Sequence, residues 1–251
     1  MRARQLAAVA AIALTTFTIA AAMDAADARV RGGRAMIHTQ RGTATATSQV
    51  SRTRGSRIRD ASITGENGHT RSVHDERTWD RQAGTYDRDH TTTFNDGSTR
   101  SIDVDAQYTG QGQYSATRTV TGRDGQTRTQ TGDFTSQRTD DGRVVSGQIQ
   151  TQNHGEVDVT RDISHNDGTR TTSTVATLED GRTIASDSTR TRDGADASYT
   201  RDTTFADGST RSVDRERDGN GDGTGAITRT VTGRNGDTRT QTGDYVVTRT
   251  P

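Results

Sequence analysis

An all-β fold, an antiparallel meander of about 14 strands built from hairpin repeats of about 28 residues, is predicted by three features of the sequence. Glycine-centred turns recur at near-constant spacing at Gly68, Gly97, Gly125, Gly155, Gly181, Gly208 and Gly236, with a second series, Gly84, Gly112, Gly142, Gly168, Gly194 and Gly221, about midway between them. Asn-Gly and Asp-Gly pairs sit at several of these points, as at Asn67-Gly68, Asp96-Gly97 and Asp207-Gly208. Such pairs predict type I′ hairpin turns, whose two central residues need positive φ. The segments between turns alternate with period two. Ile102, Val104, Ala106 and Tyr108 fall on one face, and Ser101, Asp103, Asp105 and Gln107 on the other.

Three segments follow in order. Residues 1–28 carry Arg2 and Arg4, an apolar run from Leu6 to about Ala22 and a small-residue exit at Ala26-Asp27-Ala28, the layout of a secretory signal cleaved after Ala28. Residues 29–62 form a basic stretch. Arg29 to Arg59 holds eight arginines and no acid, is rich in Thr, Ser and Gly, and is expected as a flexible arm. Residues 63–251 form the hairpin-repeat domain, which is acidic as a whole.

Composition limits how this domain coheres. Only 26% of residues are hydrophobic and 4% aromatic, so a thick globular core is out of reach, and with no cysteine neither disulfides nor a lipidated cysteine can substitute. Cross-strand pairs, each worth about 0.2–1 kcal/mol, must then be numerous, which favours a broad sheet. An open or extended sheet is expected in preference to a closed barrel or a solenoid. Phe94, Phe134, Phe205 and Tyr245 recur as aromatic anchors. Arginine, the only strongly basic residue type present, falls on the same face as the aliphatics, where its stem can lie on apolar surface. That pattern argues against an outer-membrane barrel, because guanidinium groups on a lipid-facing surface are costly.

Chemical motifs are sparse. Asp218, Asn220 and Asp222 stand at the first, third and fifth positions of a loop resembling a calcium-binding EF-hand and are the candidate metal ligands, but Arg229 occupies the twelfth position, where a bidentate Glu belongs. His74, Asp75 and Glu76 form the densest titratable cluster. Strand alternation puts His74 and Glu76 on one face and Asp75 on the other, so they do not converge. No nucleophile elbow, phosphate loop or dinucleotide fingerprint occurs, so neither catalysis nor a cofactor is expected.

The sequence therefore predicts an exported, non-enzymatic structural or adhesive repeat protein of the bacterial envelope or extracellular space. The alternative reading is a module binding glycan, polyanion or calcium through its turn loops. Polyanion or anionic-surface contact is expected at the Arg29–Arg59 arm, together with self-association. The Thr-x-Thr pieces Thr127-Arg128-Thr129 and Thr238-Arg239-Thr240 resemble the threonine arrays of ice-binding solenoids, which would imply ice binding as a lesser alternative.

Overall fold

The computed structural model describes residues 29–39, 42–152 and 155–249. The expected signal segment, and with it the cleavage point, lies outside them. Sixteen strands follow one another: β1 (Arg29–Thr39), β2 (Gly42–Thr53), β3 (Ser56–Gly65), β4 (Thr70–Asp80), β5 (Thr85–Phe94), β6 (Thr99–Gly110), β7 (Gln113–Thr121), β8 (Thr127–Arg138), β9 (Gly142–Thr151), β10 (Gly155–Asn166), β11 (Thr169–Leu178), β12 (Thr183–Asp193), β13 (Asp196–Thr204), β14 (Thr210–Gly219), β15 (Thr224–Thr232) and β16 (Thr238–Arg249). Each strand pairs antiparallel with its sequence neighbours, and β1 pairs with β16 from Arg31 opposite Arg249 to His38 opposite Thr242, closing the sheet into a barrel.

The all-β antiparallel meander is thus present, with two corrections. The sheet is closed rather than open and has sixteen strands rather than about 14. Both corrections have one cause: the basic stretch expected as a flexible arm supplies β1, β2 and most of β3, and so covers the edge that β16 would otherwise expose. Its turn at Arg54-Gly55 lacks the Asx-Gly signature, although Gly55 takes the same positive φ, 81°.

The hairpins also differ from the expected type. Where Asn or Asp precedes the glycine at one rim, only the glycine has positive φ. At the β5–β6 connection the Gly97 amide donates to the Phe94 carbonyl, and the Phe94 amide to Ser98, giving a type I turn closed by a left-handed glycine. The preceding Asx side chain serves instead as an acceptor for the amide two residues on, as in Asp96 to Ser98, Asp124 to Gln126, Asp180 to Arg182 and Asp207 to Ser209. Two-residue type I′ turns do occur, at the opposite rim: Gln111 (φ 50°) with Gly112, and Asp167 (φ 43°) with Gly168.

The wall has two chemically distinct faces. One bears Ala106, Tyr114, Ala116, Phe134, Val145, Ile149, Val157, Val159, Ala176 and Leu178, neighbours across β6 to β11 whose side chains cover one another. Val157 is 1% exposed and Ile184 0%. Side chains diverge on the convex side of a curved sheet and converge on the concave side, so this face is the inner one. Phe134 lies over Gly132 and Gly147, and stacks on Tyr114 with ring centroids 5.1 Å apart, filling space that the two missing side chains leave. The other face carries Thr, Ser, Asp, Glu and Gln. Its threonines pair laterally through hydroxyls, as in Thr121 with Thr127 at 3.2 Å and Thr232 with Thr238 at 3.0 Å.

Candidate functional site

Each strand from β2 to β16 places at least one arginine on the inner face, among them Arg52, Arg88, Arg118, Arg161, Arg201 and Arg229. The alternation that directs aliphatics inward directs these side chains inward too, since they share register rows: Val104 pairs with Arg88 on one side and Arg118 on the other. Several arginines oppose each other directly, as Arg57 with Arg77, Arg77 with Arg88, Arg138 with Arg143, and Arg170 with Arg190. Like charges in such pairs are destabilising unless an anion offsets them.

One such group is neutralised internally. Asp75 on β4, 4% exposed, is the one carboxylate that any described strand sends inward. Arg77 donates to it through Nε at 2.7 Å, Arg88 through Nη2 at 2.6 Å and Nε at 3.0 Å, and His90 Nδ1 lies 3.1 Å away. Burial alone would raise the carboxyl's pKa, but the bonds from His90, Arg77 and Arg88 outweigh it and hold the group far below the ordinary carboxylate range. His74 faces outward and bonds Asp60 at 2.7 Å, an interaction that raises its pKa, so the expected divergence of His74 and Asp75 is observed.

Elsewhere, Arg118 and Arg161 keep buried guanidinium nitrogens that meet no acceptor among the described residues. Arg118 is 3% exposed, and its pKa is pushed down to about 10 by burial, with Arg100 and Arg88 adding to the effect. Its Nη1 reaches Gln130 at 3.4 Å, and its Nε has no acceptor. Arg161 is likewise pushed down to about 10, first by burial and then by Arg170 and Arg143. The inner face is uneven. From β6 to β12 the aliphatic side chains seal much of it, whereas on β14 and β16 Arg211, Arg215 and Arg239 are exposed to the interior solvent.

The candidate calcium residues lie elsewhere. Asp218 is the penultimate residue of β14, on the outer face, and the β14–β15 turn is held by its own bonds: Asp222 accepts from the Thr224 amide at 2.8 Å, and Asn220 Nδ2 donates to Thr224 Oγ1 at 2.9 Å. Among the described residues no group of three or more His, Asp or Glu side chains converges as metal ligands. Of the aromatic anchors, Phe134 and Phe205 are buried, and Arg123, Arg234 and Arg217 lie over Phe94, Phe205 and Tyr245 respectively. Two solvent-open depressions are bounded by residues of both faces, one by Asp162, Ser164, Thr171 and Asp187 together with Arg143 and Ile163, the other by Arg34, Asp60, His74 and Asp244 together with Ala61 and Val73. The arginine lining was visible residue by residue in the alternation. Its convergence was not, because convergence requires closure.

No family model matches the chain, and no curated protein matches it. Among solved structures it is similar to porins of Rhodopseudomonas blastica. A triple-substituted variant gives a TM-score of 0.47 at 11% identity, covering 88% of this chain and 99% of that one. A second substituted porin gives 0.48 at 11% identity over the same shares.

The closed barrel overturns the expected function. An adhesive or structural strip, a module working through its turn loops and an ice-binding array all presuppose that the exposed sheet or its loops are the working surface. Here the most distinctive chemistry is turned inward. The arm expected to seek an anionic surface or polyanion is part of the wall, with Arg57 and Arg59 on its inner side.

Proposed function

We propose that this protein is an exported barrel conduit whose interior admits small anions and rejects cations. The observation that carries this reading is the inner face itself: arginine from every strand from β2 to β16, against one inward carboxylate, Asp75, among the described residues. A cleft lined by one sign of charge with low-dielectric walls raises the local concentration of the opposite ion, and rings of Arg or Lys are how pores select anions.

The outer face indicates the surroundings. Asp89, Asp103, Asp158, Asp162, Asp202 and Asp214 lie within strands on that side, interleaved with Thr and Ser, where a barrel in hydrocarbon carries an apolar band. Water or protein suits this wall, and lipid tails do not. The signal-like N-terminus supports action outside the cytoplasm.

Trp79, the single tryptophan, points inward on β4 beside Tyr86 and serves as the test. Its fluorescence should be quenched far more strongly by iodide than by caesium, with the difference shrinking as inert salt screens the lining. Equal quenching by the two ions, or stronger quenching by caesium, would refute the reading.

A further inference from the structure

The sequence contains three Asn-Gly pairs, at Asn67, Asn220 and Asn235, and the fold treats one of them differently. All three pairs are exposed, so access to water does not separate them. Asn67-Gly68 and Asn235-Gly236 belong to the rim of Asx-Gly turns. There the glycine amide is tied down: Gly68 donates to the Gly65 carbonyl at 2.9 Å, and Gly236 to the Gly233 carbonyl at 3.0 Å. Each of these two asparagines also accepts, through Oδ1, from the amide two residues on, that of His69 or Asp237. Asn220-Gly221 lies at the opposite rim, in the β14–β15 turn. Its Gly221 amide donates to no acceptor among the described residues. Gly221 (φ 83°) and Gly223 (φ 94°) flank Asp222 in left-handed conformations, so this turn departs from the pattern of the other rim.

A backbone nitrogen attacks the side-chain carbonyl carbon of the preceding asparagine only when it is free to turn toward it. Glycine hinders that approach least, having no Cβ, and a nitrogen already donating inside a turn must first give up its bond. At Gly68 and Gly236 the bond exists, and at Gly221 it does not. Asn220 itself is held only at the end of the hairpin. Its amide donates to the Thr224 carbonyl at 3.0 Å, and its Nδ2 donates to Thr224 Oγ1 at 2.9 Å.

We infer that Asn220 is a site of spontaneous covalent modification, in which the Gly221 nitrogen closes a succinimide ring on the asparagine side chain. The Gly221 nitrogen gives up its proton and forms a bond to Asn220 Cγ. The bond from Cγ to Nδ2 breaks, and Nδ2 leaves with a proton as ammonia. Water then opens the ring at either carbonyl, giving aspartate or isoaspartate. The product places a third carboxylate between Asp218 and Asp222 and removes the Nδ2 donor to Thr224. One rim of the barrel thus becomes more negative as the protein ages.

The test is timed incubation of the folded mature chain in mildly alkaline buffer, followed by trypsin and mass spectrometry. Cleavage after Arg59, Arg71, Arg217, Arg229, Arg234 and Arg239 places the three asparagines on separate peptides. Asn220 should convert on the order of tenfold faster than Asn67 or Asn235, because the other two must first open their turns, and it should yield both aspartate and isoaspartate. In urea, where no turn protects any of them, the three should convert at similar rates. Asn220→Gln keeps the amide but disfavours the ring, and it should age without the acidic species that the parent gains on ion exchange. Equal rates at the three sites in the folded chain would overturn the inference. So would aspartate without isoaspartate at residue 220, the mark of direct hydrolysis, or survival of the acidic species in Asn220→Gln. A tenfold lead for Asn220 that persists in urea would assign the selectivity to local sequence and overturn its basis in the fold.

Discussion

The guanidinium of Arg123 lies 4.2 Å from the centroid of the Phe94 ring, so the β7–β8 turn is clasped onto the β5–β6 turn. The same arginine bonds Ser98 at 2.8 Å and Asp96 at 2.5 Å. The arrangement is duplicated at Arg234, which sits 4.3 Å over Phe205 and bonds Ser209 and Asp207. Adjacent turns along the rim are tied by side chains where the backbone ladder does not reach them.

This clasp predicts coupling. Arg123→Ala and Phe94→Leu should each lower stability, and the double variant should lose less than their sum by about 0.5–1 kcal/mol, the worth of an exposed cation–π contact. Urea unfolding of the four proteins measures it. Strict additivity would mean that the ring and the guanidinium are merely adjacent.

Acid sensitivity should centre on Asp75. Its folded-state pKa is depressed, so the stability it contributes is complete above the unfolded value of about 3.9 and is lost progressively as pH falls below that value toward the folded pKa. Asp75→Asn should destabilise by about 3 kcal/mol near neutral pH, because Arg77 and Arg88 are left buried without their counter-charge. The variant should also show a flatter loss of stability between pH 4 and pH 2. Denaturant midpoints across pH for both proteins are the readout.

The inner apolar half should respond to volume. Phe134, 4% exposed, covers two glycines and stacks on Tyr114, so Phe134→Ala should cost about 3–5 kcal/mol. Gly147→Ala should also be damaging. Its added methyl would meet the Asp133 carbonyl and the Phe134 ring, neither of which can withdraw without breaking the pairing of β8 with β9. Thermal melting ranks the two against the parent.

Turn strain gives a cleaner comparison. A side chain at Gly97 would meet nothing within 4 Å, so the whole cost of Gly97→Val is its φ of 77°, about 1–2 kcal/mol or more for a β-branched residue. His74→Ala removes only exposed contacts with Asp60 and Glu76 and should shift the melting midpoint less. Equal midpoints would count against the hairpin assignment at Gly97.

Closure itself is testable by removing β1. Without residues 29–39, β2 and β16 become free edges, and the shortened chain should self-associate in a concentration-dependent way, seen by size-exclusion chromatography. A monodisperse, unchanged monomer would show that β1 is not needed to seal the wall.

Local signals carried much of this fold. Asx-Gly turns and period-two alternation identify strands from β4 to β16, and they put Val104 and Arg118 on one face because side-chain direction in a strand depends only on neighbouring backbone. The strands of the basic stretch were missed for a local reason as well. In β2 the inward residues Ala44, Ala46 and Ser48 differ little in polarity from the outward Thr43, Thr45 and Thr47, and the flanking glycines, Gly42 and Gly55, follow arginine. A weak alternation and an unfamiliar turn then read as loop.

The amino-acid order by itself determined the strand rhythm, the division of the wall into an arginine-aliphatic face and a hydroxyl-carboxylate face, and the absence of recognisable catalytic motifs, since each follows from chemistry within a few residues. Only the tertiary structure decided that the arginine face is enclosed, that Asp75 meets Arg77, Arg88 and His90, and that Arg161 is left without a carboxylate. Those outcomes depend on β1 finding β16, a pairing between the two ends of the described chain. Such a pairing is fixed by the accumulated twist and stagger of all sixteen strands and is not encoded in any single turn.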